Sequence, residues 1–174
     1  MLGNRTISTL ELVGVDLWGC GAVAAADLLN AMIGHPTLTS VNLGWNQAAQ
    51  LDAQRQAAGS LLGALIAANA PALRQLCIDN SDLRNDGFRA VAAALPRNTH
   101  LSDFRCFGNA LTPVFARDTL LPAVKANNSL LNLEAQGNFD FDDHGERLPV
   151  TPWLQQAEQV VNERSARASL YNSQ

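Results

Sequence analysis

Residues 73–83 read LRQLCIDNSDL, which fits the spacing L-x-x-L-x-L-x-x-(N/S)-x-L. The same spacing returns at residues 101–111, LSDFRCFGNAL, and in weaker form from Ile7, Leu38 and Leu130. Five starts that are 28 to 35 residues apart indicate one structural unit copied along the chain. Internal repetition of this kind predicts a solenoid, in which each unit stacks only on its neighbours.

Each unit is predicted to combine a short strand with a helix, which gives an α/β fold. Alternate side chains of a strand point to opposite faces, so Leu76 and Ile78 should face the core while Cys77 and Asp79 face outwards. Successive strands would stack into one curved parallel sheet, with the helices packed on its outer side. Apolar residues at helical spacing predict helices near residues 22–33, 50–68, 88–95 and 151–168.

The fourth unit is expected to carry an irregular helix. Pro113 suits the first turn of a helix with Thr112 as its N-cap, whereas Pro122 should kink the helix or restart it. Residues 139–149 are acidic and turn-rich, and the repeat spacing ends there. The helix that follows has one apolar stripe, which is suited to covering the open end of a solenoid.

The ninth place of the spacing holds a polar residue in four units, namely Asn46, Ser81, Asn109 and Asn138. An asparagine amide at this place can satisfy backbone groups that lose their ladder partner as the chain leaves the strand. The first unit has Val15 there. Valine cannot make such bonds, so the first turn is expected to be the loosest or to be built differently.

The predicted organisation has four parts. Residues 1–6 are an N-terminal extension or a truncation edge, residues 7–149 are the repeats, residues 150–168 are the capping helix and residues 169–174 are a frayed tail. Six residues cannot shield the first repeat well. We therefore expect either that the chain is a fragment of a longer protein or that its N-terminal edge contacts a partner.

Composition narrows the classes of function. A hydrophobic fraction of 47% with 16% charged residues is typical of a globular domain, and a formal charge of -4 disfavours nucleic-acid and anionic-membrane binding. Three cysteines without a C-x-x-C motif, together with only three histidines, predict neither a disulfide framework nor a metal site. We expect free thiols, a cytoplasmic location and no cofactor.

The chain resembles the leucine-rich-repeat superfamily, in particular its long-repeat, ribonuclease-inhibitor-like group. The resemblance rests on LRQLCIDNSDLRNDGFRAVAAAL from residue 73 and LSDFRCFGNAL from residue 101. The junctions AAALPRNTHL and VKANNSLLNL are also similar to those of the terminal domain of the tropomodulins, which likewise ends in an extra helix. Alanine-rich helices are similar to those of bacterial effector repeats. These resemblances imply about five repeats with a C-terminal capping helix.

The family resemblance implies a non-enzymatic module that binds a protein through the concave strand face. Trp45 and Phe107 fall at outward positions where burial is not required, and exposed aromatics are typical binding anchors. Arg105 lies between acidic positions and is expected to form an internal ion pair. The predicted partner-binding residues are Glu11, Val13, Asn42, Trp45, Cys77, Asp79, Asp103, Arg105, Phe107, Glu134 and Gln136.

Two alternative functions stay open. The chain could be the substrate-targeting domain of a larger enzyme, such as a bacterial effector secreted into a host cytosol. It could instead be a cytoskeletal capping domain, which would require the last helix to be a contact surface. The acidic segment 140–146 superficially suggests a calcium loop, but Thr151 stands where the bidentate acid is needed, so an acidic turn is expected. No catalytic constellation is predicted, because Cys77 has no base nearby.

Overall fold

A computed structural model describes residues 4–47, 51–141, 147–149 and 151–172. In that part of the chain, five strands form one parallel sheet in chain order. The register aligns Leu10, Val41, Leu76, Phe104 and Leu133, which are the inward positions of the five repeats. The strands are β1 (Thr9–Glu11), β2 (Ser40–Asn42), β3 (Gln75–Cys77), β4 (Asp103–Arg105) and β5 (Asn132–Glu134). The predicted α/β repeat architecture is therefore confirmed.

The helices connect successive strands and lie on the outer side of the sheet. The predicted first helix is confirmed at both ends, and the predicted third helix begins earlier than Phe88. The last helix continues beyond Ala168, so the expectation of a frayed tail from residue 169 is wrong as far as Asn172. The helices are α1 (Ala22–Ile33), α2 (Asp52–Ala67), α3 (Arg84–Ala94), α4 (Pro113–Phe115), α5 (Leu121–Ala126) and α6 (Thr151–Asn172).

The fourth helical segment is irregular, as the prolines predicted. The Thr112 hydroxyl accepts a hydrogen bond from the Phe115 amide at 3.2 Å, which caps α4. A π-helical stretch, Ala116–Leu120, joins α4 to α5, and Pro122 lies in the first turn of α5. Proline has no amide to donate, so the regular helical bonding is interrupted where Pro122 follows the π-helical stretch.

The core lies between the sheet and the helices. Leu76 is 1% exposed and Ile78 is fully buried, which confirms their predicted inward direction. Phe88 of α3 packs against Phe104 of β4, with ring centroids 6.3 Å apart, and this contact ties helix to sheet. Gly59 of α2 lies against the backbone of Gly87, where any Cβ would collide, so the two helices approach closely.

Buried asparagine amides hold the turns that follow the strands. Asn46 accepts hydrogen bonds from the amides of Val15 and Leu17 at 3.1 and 3.0 Å, and it donates to the carbonyls of Leu12 and Leu43 at 2.6 and 3.0 Å. One side chain thus fixes its own turn and the turn of the preceding repeat. The first turn is therefore held by the second repeat, without an asparagine of its own, which fits the expectation that it is built differently.

The same arrangement recurs towards the C-terminus. Asn109 donates to the carbonyls of Ile78 and Cys106 at 2.9 and 3.1 Å, and Asn138 donates to those of Cys106 and Ala135 at 3.2 and 2.7 Å. These side chains are 0% and 5% exposed. Ser81 makes only one long bond, 3.4 Å to the carbonyl of Asp79, because its side chain is too short to span two repeats.

The second helix buries a charged side chain, whereas the leucine at its N-cap is exposed. Leu51 is 65% exposed, whereas Arg55 is 2% exposed. The Arg55 guanidinium donates to the carboxylate of Asp82 at 3.0 Å, to its carbonyl at 3.1 Å and to the carboxylate of Asp52 at 2.8 Å. Buried arginine is tolerated because these groups satisfy its donors. The pairing links α2 to the turn before α3.

The segment after the fifth repeat is not only a turn. Strands β6 (Phe139–Phe141) and β7 (Arg147–Pro149) form an antiparallel pair. Residues 142–146, which include most of the superficial calcium motif, lie outside the described residues. Within the described ranges, no three His, Cys, Asp or Glu side chains are grouped to hold a metal ion. None of the helices in those ranges has the length and apolarity to cross a bilayer.

The last helix covers the end of the fifth repeat. Leu154, Ala157 and Val161 of α6 are at most 1% exposed. Glu158 accepts a hydrogen bond from the amide of Ala135 at 2.9 Å, and Arg164 donates to the carbonyl of Leu130 at 3.0 Å. These bonds satisfy backbone groups beside β5 that have no further strand to pair with.

Replacing Asn109 by alanine should lower the free energy of unfolding by about 2–4 kcal/mol, because several buried backbone groups lose their partner. Urea denaturation followed by circular dichroism measures the change. Ser81→Ala is the matched control and should cost less than about 1 kcal/mol, because it removes one long bond. Equal losses in the two variants would contradict the role given to the asparagines.

Candidate protein-binding surface

The outward positions of the strands line an open groove on the concave face, with a volume of about 280 Å³. The register places the predicted rows side by side, so that Cys77 lies between Asn42 and Arg105. The polar and thiol side chains that line the groove belong to Glu11, Ser40, Asn42, Gln75, Cys77, Asp103, Arg105, Asn132 and Glu134. Their three carboxylates outnumber their one guanidinium, so the face is acidic.

Arg105 is held by carboxylates on both sides. Its guanidinium lies 2.8 Å from the carboxylate of Asp79 and 3.2 Å from that of Glu134. The hydrogen bond to Asp79 and that residue's charge raise the pKa of Arg105, so the guanidinium stays charged. The predicted internal ion pair is confirmed. Arg105 is therefore largely engaged within the protein.

Asp79 differs from the expectation that it would be an exposed acid of the groove. Its side chain is only 8% exposed. One carboxylate oxygen accepts the amide of Phe107 at 2.8 Å while the other pairs with Arg105, and its backbone carbonyl accepts the amide of Trp45 at 2.7 Å. The side chain is buried because it is the acceptor for the neighbouring repeat. Asp79 thus links three successive repeats and offers little surface to a partner.

Exposed apolar side chains lie just beyond the carboxyl ends of the strands. Trp45 is 59% exposed, Phe107 is 43% exposed and Val13 is 44% exposed. We call these three residues the aromatic edge. The ring of Phe107 lies against Gly137, where any Cβ would collide with it, so the ring is partly covered by the fifth repeat. The predicted exposure of the two aromatics is confirmed, whereas their role in binding stays a prediction.

The backbone under the aromatic edge is fixed. Trp45 adopts a left-handed conformation with φ of 61°, which is uncommon for a bulky residue. Its amide is bonded to Asp79, and the following residue, Asn46, is fully buried in the turn. The carbonyl of Asn46 also accepts the indole N–H of Trp18 at 2.7 Å. Exposed rings on an ordered backbone lose little conformational entropy when a partner binds.

Two further residues that were predicted to bind a partner form hydrogen bonds within the protein. The Asn42 side chain accepts the amide of Gly44 at 3.0 Å, and Gln136 donates to Glu158 of α6 at 3.0 Å. Glu11 and Asp103 have no ion pair within the described residues, although Asp103 accepts a bond of 2.6 Å from the Ser102 hydroxyl. These two carboxylates remain the groove's uncompensated negative charges.

Cys77 is half-buried in the groove and lacks the surroundings of a nucleophile. Burial raises the pKa of its thiol to about 11, and the nearby charge of Asp79 acts in the same direction. His100 instead bonds Asn69 at 2.9 Å, in the turn that precedes β4. Burial also raises the pKa of Cys106 well above its ordinary value. The chemistry of the groove therefore suits binding better than covalent catalysis.

The comparisons with known proteins concern the fold. No protein-family model and no curated protein match the chain. The tropomodulin C-terminal domain from Caenorhabditis elegans is similar in structure, with 14% sequence identity and a TM-score of 0.69 over 97% of this chain and 90% of that one. The leiomodin-1 actin-binding site 2 is also similar, with 18% identity and a TM-score of 0.55 over 98% of this chain and 90% of that one.

At these identities the likeness establishes the architecture alone. The resemblance to the tropomodulin terminal domain, predicted from the repeat junctions, is confirmed as a resemblance of fold. The narrower resemblance to the ribonuclease-inhibitor-like group is not confirmed. The chain has the α/β leucine-rich-repeat architecture.

Asp79→Ala should lower the free energy of unfolding by about 2–3 kcal/mol, because it leaves the part-buried amide of Phe107 without an acceptor and Arg105 without its closer carboxylate. Glu134→Ala removes the other, exposed partner of Arg105 and should cost less than about 1 kcal/mol. Urea denaturation measures both. A loss for Glu134→Ala as large as that for Asp79→Ala would show that charge pairing, and not the amide bond, gives Asp79 its importance.

Cys77 should react with iodoacetamide at pH 8 about a hundredfold more slowly than a free cysteine, because a thiol with a pKa near 11 is almost wholly protonated there. The rate should rise steeply between pH 9 and 11, with the growing thiolate fraction. Peptide mass spectrometry measures modification at each cysteine, and the exposed Cys20 serves as internal reference. Rapid alkylation of Cys77 at pH 7 would contradict its assignment as a non-nucleophilic groove residue.

Proposed function

We propose that this chain is a non-enzymatic protein-binding domain of the actin cytoskeleton, located in the cytoplasm. It contacts its partner through the aromatic edge and through the distal part of α6. The concave groove beside the aromatic edge supplies a polar, acidic rim. This proposal favours the cytoskeletal alternative over binding through the concave face alone.

The observation that carries the proposal is the pair of exposed aromatics on a fixed backbone. Trp45 and Phe107 belong to the repeats on either side of Asp79, which bonds the amide of Trp45 through its carbonyl and that of Phe107 through its carboxylate. Large aromatic side chains dominate binding energy at protein interfaces when they are surrounded by polar groups that exclude water. The packing of their own repeats does not require these rings to be exposed. Burial against a partner would explain why large apolar side chains stand at these positions.

Actin is proposed as the partner on two grounds. The domain shares its fold with leiomodin-1 actin-binding site 2 over nearly its whole length. In addition, α6 extends beyond the part that covers β5. Its buried contacts end near Val161, whereas Leu170 and Tyr171 are 67% and 82% exposed. A helix that served only as a lid would not need this second, exposed apolar section.

Co-sedimentation with filamentous actin and pyrene-actin assembly assays test the proposal. The wild-type domain should co-sediment with filaments or slow subunit addition at their ends. Trp45→Ala combined with Phe107→Ala should weaken the effect by about thirtyfold or more, as expected for two anchor residues. Tyr171→Ala should weaken actin binding by about threefold or more. The effect is smaller because this variant removes one exposed ring and leaves both aromatics of the aromatic edge in place.

Val114→Ala is the matched control, because Val114 is 60% exposed but belongs to α4 and not to the aromatic edge. This variant should bind as the wild type does. All variants should keep wild-type circular dichroism, since each changes an exposed side chain. Absence of actin binding by the folded wild-type domain would overturn the choice of partner. Binding that survives loss of both aromatics would overturn the aromatic edge as the contact surface.

A further inference from the structure

The outer edge of β1 carries unpaired backbone groups. The carbonyl of Ser8 and the amide of Leu12 bond to β2 over 3.0 and 2.8 Å. Because successive residues of a strand direct these groups to opposite sides, the N–H and C=O of Thr9 and Glu11 point away from β2. No hydrogen bond joins them to another residue of the described ranges. Thr9 and Glu11 thus offer two donors and two acceptors in the spacing of a strand.

At the opposite edge of the sheet, beside β5, side chains of α6 bond the outward backbone groups. Beside β5, Glu158 accepts the amide of Ala135 and Arg164 donates to the carbonyl of Leu130. The side chains of α6 thereby block that edge against another strand. No comparable side chain covers Thr9 or Glu11 within the described part of the chain. Within the described residues, the sheet therefore has one edge blocked by α6 and one edge whose outward backbone groups are unpaired.

The residues around β1 have the form of an internal junction between repeats. Asn4 accepts the amides of Thr6 and Ile7 at 2.8 and 2.9 Å, and Asn98 accepts those of His100 and Leu101 at 3.0 and 2.7 Å in the same way. Both asparagines stand three residues before the first apolar residue of a repeat. The start of β1 is consequently fixed in the same conformation as the start of β4.

The apolar layer beside β1 is incompletely buried. Leu10 and Leu12 are only partly buried, whereas the equivalent Val41 and Leu43 of the next repeat are each 1% exposed. An apolar side chain opposite Leu10 would complete this layer in the way that β2 completes it on the other side. The groups at this edge thus favour an extended segment with an apolar residue at its centre.

The charge of Glu11 indicates which residue of an added strand should lie opposite it. Glu11 is exposed and has no ion pair within the described residues. Glu134 occupies the equivalent place in β5, and the neighbouring strand puts Arg105 directly opposite it, 3.2 Å away. A strand added beside β1 in the same register would place its own residue opposite Glu11. A basic side chain there reproduces the pair that the protein already contains.

We propose that the outer edge of β1 binds an extended peptide segment of a partner protein, which adds a further parallel strand to the sheet. The segment carries an apolar residue opposite Leu10 and a basic residue opposite Glu11. Backbone hydrogen bonds to Thr9 and Glu11 provide the affinity, while the two side chains provide the selectivity. This site is separate from the aromatic edge and does not depend on actin binding.

The protein itself supplies a probe with the required pattern. Residues 101–109, LSDFRCFGN, form the strand that lies against β5 in the fold, with its arginine opposite Glu134. A fluorescein-labelled peptide of this sequence, with serine in place of its cysteine, should bind the intact domain saturably in fluorescence anisotropy. Amide hydrogen exchange of Thr9 and Glu11, followed by NMR, should slow about tenfold or more at saturation, because both amides gain acceptors.

Two variants locate the peptide. Thr9→Pro removes an amide that faces away from β2, so the sheet keeps its internal bonds while the peptide loses a donor. Glu11→Lys should weaken binding about tenfold, because an attractive cross-strand pair becomes repulsive. A peptide with glutamate in place of its arginine should restore binding to Glu11→Lys. Trp45→Ala is the control and should bind the original peptide unchanged.

Several results would overturn the proposal. One is a lack of saturable binding at peptide concentrations up to about 1 mM, the weak end of specific affinity. Another is full affinity in both Thr9→Pro and Glu11→Lys, which would place the peptide elsewhere. A dimer in sedimentation equilibrium that the peptide fails to dissociate, and that Thr9→Pro does dissociate, would make a second copy of the chain the occupant instead.

Discussion

The fold depends on the satisfaction of buried backbone groups at the point where each strand ends. The chain leaves the sheet in the interior of the stack. An amide or carbonyl left there without a hydrogen-bond partner would destabilise the fold more than the other contacts of the turn stabilise it. Asn46, Asn109 and Asn138 meet this constraint by bonding to two successive repeats at once. Each asparagine therefore fixes the register between neighbours, and the register in turn decides which side chains share a row on the concave face.

The third repeat meets the same constraint with different residues, and the candidate binding surface lies around that difference. Ser81 is too short to reach the preceding repeat. Asp79, two residues earlier, receives the amides of Trp45 and Phe107 from the repeats on either side. The carboxylate of Asp79 thus holds the backbone under Phe107, and its backbone carbonyl holds the backbone under Trp45. The interaction that holds the centre of the solenoid together also orders the surface proposed to meet a partner.

The repeat spacing was sufficient to predict the strands, their order and the rows of outward residues, because leucine positions in a short strand are dictated by burial alone. It could not predict that Asp79 is buried, since the donors to its carboxylate come from residues more than twenty positions away. Arg55 was missed for the same reason, as its partner Asp82 is 27 residues distant. The hairpin of β6 and β7 was missed because each strand has only three residues, too few for a period of two to be recognised. The signal for the ring of Phe107 was present in Gly137, whose missing side chain makes room for it.

The most direct test of this account is amide hydrogen exchange at Phe107 in the intact protein, measured by NMR. Phe107 lies beyond the end of β4 and its side chain is largely exposed, so an ordinary loop amide in its place would exchange quickly. The bond to the buried carboxylate of Asp79 predicts protection comparable to that of the β4 ladder amides. Exchange at Phe107 close to the unprotected rate, while the β4 amides remain protected, would contradict the claim that Asp79 supports the aromatic edge.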